Sequence, residues 1–140
     1  MLRFELPAER RLSHEMVIPI RWGDMDAFGH VNNTVYFRYM ESARIEWLHA
    51  TLGRTGGEEG PVVVNAFCNF LRELTYPGDV LVRTFTGQVG RSSVDTYVTM
   101  SRTDEPERVH AEGGARVVWV RHAEQKAIAL PEALRTALGA

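Results

Sequence analysis

From Tyr36 to Ala50 apolar side chains recur at steps of 4, 3, 4 and 3 (Tyr36, Met40, Ala43, Trp47, Ala50), the spacing of one helix face. Phe37, Ile45, Leu48 and Leu52 widen that surface, so the spacing predicts a helix from Thr34 to Leu52, covered on most sides. Asn33 and Thr34 can cap its start by accepting from an unpaired backbone amide, and Gly53, Gly56 and Gly57 offer ways to stop it. Beyond Pro61 the period falls to two. Val62, Val64, Ala66, Cys68, Phe70, Leu74 and Tyr76 read as one strand ended by Pro77-Gly78-Asp79, and Val80 to Val89 as the next. A turn at Gly90-Arg91-Ser92-Ser93 leads to a strand marked by Val94, Thr96, Val98 and Met100. A further turn at Thr103 to Pro106 leads to Val109, Ala111, Ala115, Val117 and Trp119. Connections this short make hairpins, hence an antiparallel meander, because parallel strands need long crossovers. Ahead of the helix, Met16 to Arg21 has strand composition, and Pro19 assigns it to an edge. At the other end, Pro131 opens a short amphipathic tail, PEALRTAL, at the first helical position.

One long apolar helix and five strands can bury their apolar surfaces only against each other, which gives an α+β two-layer architecture over residues 1–140 as one domain. A chain of 140 residues is large enough for a core without disulfides, and its single cysteine, Cys68, cannot form an internal one; a reducing, cytoplasmic setting is expected. Sixteen Lys and Arg against eighteen Asp and Glu give a net charge of -2, without the basic excess that nucleic-acid binding uses. No stretch approaches the ~18 apolar residues of a membrane span, and the first residues lack the pattern of a secretory leader. One helix leaves the far face and the edges of the sheet uncovered, so a homodimer joined through strand edges or faces is expected.

The polar groups concentrate between the first strand and the helix: Asp24, Asp26, His30, Asn32 and Asn33. Asp, Asn and Gly of this kind also make a plain turn with a helix cap, and spacing does not separate that reading from a functional one. Three considerations favour function. A helix start presents unpaired amides and a partial positive charge that can polarise a carbonyl. Asp26 and His30 are close enough in sequence to face one pocket and hydrogen-bond as an acid/base or nucleophile pair. Five polar groups in ten residues also exceed what capping requires. No metal site is expected: a calcium loop starting at Asp24 would need an oxygen ligand at Phe28 and a Glu at Val35, and His14, His49, His110 and His122 are scattered. Cys68 lies among apolar strand residues, where a thiol is packing, and there is neither a GxSxG elbow nor a Gly-rich phosphate loop.

The stretch Trp22 to Arg44, WGDMDAFGHVNNTVYFRYMESAR, resembles the signature of hot dog fold acyl-CoA thioesterases of the 4-hydroxybenzoyl-CoA thioesterase type. The resemblance rests on a DxD loop, Gly29, the HVNN tetrapeptide and a Tyr-rich helix ending in ESAR, and the order of elements extends it over nearly the whole chain. It implies a long central helix wrapped by a curved five-stranded antiparallel sheet. It also implies dimers or dimers of dimers with the active site at the dimer interface, and no cofactor. By the resemblance, Asp26 is the catalytic carboxylate that attacks the thioester carbonyl or activates water, and the Asn33 amide polarises that carbonyl. His30 positions the loop or bonds to Asp26, and Asn32 and Phe28 border the substrate.

HVNN is also similar to plant acyl-ACP thioesterases, in which a DxNxHVNN loop supplies Asp, Asn and His. Asp26 and His30 match that pattern, whereas Phe28 stands where its middle Asn would be. A strand Glu of those enzymes, in a YRRE-like segment that FLRE resembles, would fall on Glu73, whose ordinary reading is a solvent-facing strand carboxylate. The 4-hydroxybenzoyl-CoA type binds the CoA nucleotide near the turn that here carries Arg91, Ser92 and Ser93, residues that can hold phosphate oxygens or simply form an exposed hairpin. The expected activity is hydrolysis of an acyl-CoA thioester to a carboxylic acid and CoA. The alternatives are an acyl-ACP thioesterase and a non-catalytic acyl-CoA-binding module.

Overall fold

The computed structural model describes residues 3–53 and 56–140. Strand β1 (Arg11–Pro19) leads through a short 3-10 turn at Trp22–Asp24 and a loop into helix α1 (Asn33–Leu52). Strands β2 (Glu59–Phe70), β3 (Asp79–Val89), β4 (Ser93–Arg102) and β5 (Glu105–Arg121) follow, then the two-residue β6 (Lys126–Ala127) and helix α2 (Glu132–Ala137). The helix period is correct at the C-terminal end of α1, where the N–H of Gly53 donates to the carbonyl of His49. Its start differs from expectation: Asn32 is the cap, its side chain accepting from the Thr34 amide at 2.9 Å, and Asn33 is already helical. Pro131 likewise precedes α2 and does not occupy its first turn.

All pairings are antiparallel, but the sheet is not the expected four-strand meander. The order is β1-β3-β4-β5-β2, with β6 added to β5, so the sheet has six strands. β3, β4 and β5 are successive hairpin partners, whereas β2 crosses to the far edge and pairs with β5, from Glu59 opposite Arg121 to Phe70 opposite Ala111. β1 takes the opposite edge beside β3, as Pro19 required. β2 also ends earlier than its composition suggests. The chain leaves the sheet at Leu71, and Leu74, fully buried, plugs the core from a loop.

α1 lies across one face of this sheet. Tyr36, Tyr39, Met40, Ala43, Trp47 and Leu48 are buried, each large side chain contributing about 2 kcal/mol of transfer free energy. The first half of the helix packs with Ile18, Ile20, Val31, Leu74, Val80 and Val82; the second half packs with Val94, Val117, Trp119, Leu130 and Leu134. The expectation that α1 is covered on most sides fails at Phe37 and Ile45, which are 38% and 41% exposed because they point away from the sheet. No helix among the described residues is long and apolar enough to cross a membrane.

Candidate active site

The loop from Arg21 to Asn32 is built by its own polar groups. Asp24 accepts from the Arg21 amide at 2.9 Å and from the Tyr39 hydroxyl at 2.8 Å, while its carbonyl accepts from the Asn32 amide. Burial first, and then the Asp24 carboxylate, pushes the Tyr39 phenol far above its usual range, so Tyr39 is a neutral donor. Asp26 exchanges backbone groups with its neighbours: its N–H donates to the His30 carbonyl and its carbonyl accepts from Gly29. Gly29 adopts φ of 82°, a left-handed conformation that L side chains disfavour, which closes the turn. Its tip is Phe28, 85% exposed. The Val31 amide then donates to the carbonyl of Leu74, tying the loop to the segment that follows β2.

These contacts open a cavity of about 420 Å³ lined by Asp26, His30, Val31, Asn33, Tyr36, Phe70, Leu71, Arg72 and Glu73. The chain therefore brings Asp26, His30 and Asn33 to one cavity together with Glu73, whose ordinary sequence reading was a solvent-facing strand carboxylate. The pairing within it differs from expectation. His30 Nε2 lies 2.8 Å from Glu73 Oε2, not against Asp26, whose Oδ1 accepts from the Phe28 amide at 2.9 Å. The reason is local: the tight turn through Gly29 consumes one Asp26 oxygen in a turn of its own, and the loop after β2 delivers a second carboxylate to the imidazole. Glu73 sits in that loop and not on a strand. Further along, the same loop is anchored by Arg102, which donates to the carbonyls of Thr75 and Pro77 and pairs with Asp104.

Asn32 serves the cap, its side-chain oxygen accepting from both the amide and the hydroxyl of Thr34, so it is a structural neighbour of the site. The amide of Val35 donates to the Asn32 carbonyl, whereas the Asn33 amide, one of the orphan donors of the helix start, has no acceptor among the described residues, and Asn33 borders the cavity. Arg91, Ser92 and Ser93 are elsewhere in the chain. Their turn is tied to α2 and the segment before it, where the carbonyl of Arg91 accepts from the Leu130 amide and the Arg135 guanidinium, and none of the three borders the cavity of Asp26. Cys68 is half-buried and its thiol is pushed up to about 12 by burial, as suits packing.

The sequence reads Tyr36 only as helix face and does not single out Tyr39. Tyr36 borders the cavity, and Tyr39 holds Asp24; their signal was a pair of hydroxyls on an apolar stripe within two turns of the polar loop.

A long helix wrapped by a curved antiparallel sheet, with a carboxylate loop feeding the helix start, is the hot dog fold of thioesterases. The chain belongs to the thioesterase-like superfamily, whose family model matches residues 20–138, and it is a thioester hydrolase. It is 39% identical to the PA2801 protein, a candidate thioesterase of Pseudomonas aeruginosa, over 91% of this chain and 99% of that one, with a TM-score of 0.88. A candidate acyl-CoA thioesterase of Xanthomonas campestris is 34% identical over 78% of this chain and 93% of that one, with a TM-score of 0.72. A 1,4-dihydroxy-2-naphthoyl-CoA thioesterase from Synechocystis shares the fold at a TM-score of 0.82 and 18% identity, over 89% of this chain and 94% of that one.

Proposed function

We propose that this chain hydrolyses acyl-CoA thioesters to a carboxylic acid and CoA, with Asp26 as the reacting carboxylate. The observation that carries the reading is Asp26 beside a free helix-start amide: one carboxylate oxygen is held by Phe28, the other has no partner among the described residues, and both Asp26 and Asn33 border one cavity. In that arrangement the substrate carbonyl points at the Asn33 amide, where the partial positive charge of α1 stabilises the oxyanion that forms. The free Asp26 oxygen then attacks the carbonyl carbon, expelling the CoA thiolate and leaving an anhydride that water opens, or it takes a proton from a water that attacks in its place. His30, oriented by Glu73, is the group placed to hold a proton for the departing sulfur.

The proposed functional unit is a homodimer or a dimer of dimers. β2 is a sheet edge carrying Val62, Val63 and Val64 at 36%, 43% and 56% exposure, a long apolar edge of the kind that pairs with another chain. Because Arg91, Ser92 and Ser93 lie far from Asp26 in their own chain, contact with the phosphates of a bound CoA is assigned to the turn of a second protomer.

Free-thiol release from a panel of acyl-CoAs tests the reading. Wild type is expected to turn over, and Asp26→Asn and Asp26→Ala to lose activity; full activity in both variants rejects Asp26. The same acyl group presented on CoA and on acyl carrier protein identifies the carrier. Single-turnover hydrolysis in labelled water separates the two roles, since label entering Asp26 requires the anhydride. Sedimentation at micromolar concentration is expected to give a dimer or larger.

A further inference from the structure

We infer that the hydroxyl of Tyr36 is a second hydrogen-bond donor to the thioester carbonyl oxygen, acting beside the Asn33 amide; this rests on the hydrolase reading above. Tyr36 is 3% exposed, yet it borders the cavity that holds Asp26, His30 and Asn33. Its oxygen is already engaged as an acceptor, taking the Leu74 amide at 3.2 Å. Its own proton has no acceptor among the described residues. A phenol keeps its O–H near the ring plane, so an amide on one lone pair leaves the proton directed to the remaining side.

The ring cannot swing to satisfy itself. It meets Phe70 edge-on with centroids 5.1 Å apart and Tyr39 edge-on at 6.4 Å, and its amide partner is itself held, the Leu74 carbonyl accepting from Val31. Burial keeps the phenol above its usual range and therefore protonated, a neutral donor in a half-apolar pocket. Such a fixed donor costs no reorganisation when charge develops on a substrate oxygen, which is where a hydrogen bond contributes most to rate.

The position follows from helix geometry. Tyr36 is three residues after Asn33, on the same side of the helix, and long helical side chains lean back toward the N-terminus. The other polar side chains on the cavity divide by chemistry. Asp26 and Glu73 are acceptors, His30 is engaged with Glu73, Arg72 and the Asn33 side chain are exposed donors, and the Tyr36 hydroxyl is the buried side-chain donor, three residues from the Asn33 amide at the start of α1. A purely structural Tyr36 would serve only as the acceptor for Leu74.

Donor and acceptor roles respond oppositely to the acidity of the phenol, and that difference supplies the test. Tyr36→Phe is expected to lower kcat about 100-fold with KM within about threefold, the pattern of an interaction made in the transition state. Replacement of Tyr36 by 3-fluorotyrosine keeps both bonds and the fold but makes a stronger donor and a weaker acceptor. At a pH where the phenol stays protonated, its kcat is expected to equal or exceed that of wild type. A folded Tyr36→Phe with kcat within about twofold of wild type overturns the inference, as does a fluorotyrosine enzyme slower than wild type. Asp26→Asn run alongside separates the two readings: an inactive Asp26 variant with an unimpaired Tyr36→Phe rejects the donor and leaves the hydrolase, while absence of hydrolysis by wild type rejects both.

Discussion

Replacing Tyr39 by Phe removes one hydroxyl and tests how the catalytic loop is held. The lost bond is the 2.8 Å donation to Asp24 Oδ2 from a ring that is 2% exposed, and no solvent can replace it from the ring side. A hydrogen bond to a charged acceptor contributes about 1.5 to 3 kcal/mol. Asp24 keeps the Arg21 amide and partial access to water, which places the expected loss near about 2 kcal/mol. For a chain of this size that corresponds to a fall in Tm of roughly 5 to 10 °C. Thermal unfolding followed by circular dichroism measures it, and a double-mutant cycle with Asp24→Ala isolates the pair. The cycle should return a coupling of about 1 to 2 kcal/mol. Additivity within about 0.3 kcal/mol would refute the reasoning, since the two side chains would then not be exchanging a bond that matters. Because the same carboxylate orders the loop that carries Asp26, Tyr39→Phe should also lower kcat measurably at temperatures where the protein is fully folded.

Three further outcomes follow from the contacts above. Glu73→Gln removes the charge from the 2.8 Å pair with His30 and should reduce thioester hydrolysis about tenfold or more while leaving Tm nearly unchanged, because Glu73 is largely exposed; a thiol-release assay paired with a melt decides it. Gly113→Ala places a Cβ 2.5 Å from the Phe67 carbonyl and 2.9 Å from Met40 Cε, so the β2 to β5 pairing or α1 must shift, at a cost of about 3 kcal/mol readable in urea unfolding. Cys68 should react slowly with a thiol reagent at pH 8. Its thiol is raised from 9.0 to about 12, so the native state holds that proton more tightly than the unfolded chain, and the associated stability, complete below pH 9, should fall as pH rises toward 12.

The features legible in the sequence were the ones that short-range physics controls. A 4, 3, 4, 3 apolar spacing and a glycine stop define α1 whatever it packs on, and period-two runs separated by tight turns force the β3, β4, β5 hairpins. The Asp26 to Asn33 loop is likewise local, closed by a left-handed Gly29 and by backbone bonds spanning a few residues, and its likeness to a known signature pointed to the hydrolase.

What tertiary structure decided were choices among partners distant along the chain. β2 has hairpin-like spacing to β3, yet it pairs with β5, because β1 and β4 occupy the two sides of β3. His30 could have met Asp26 four residues away; it meets Glu73 because Leu74 must plug the core and the loop carrying it arrives beside the imidazole. Tyr36 read as one more apolar helix position, and only the arrival of the Leu74 amide at its oxygen turned it into an oriented donor facing the cavity. Local periodicity specifies which elements form, whereas the competition to bury apolar surface and satisfy polar groups across the chain specifies which side chains meet.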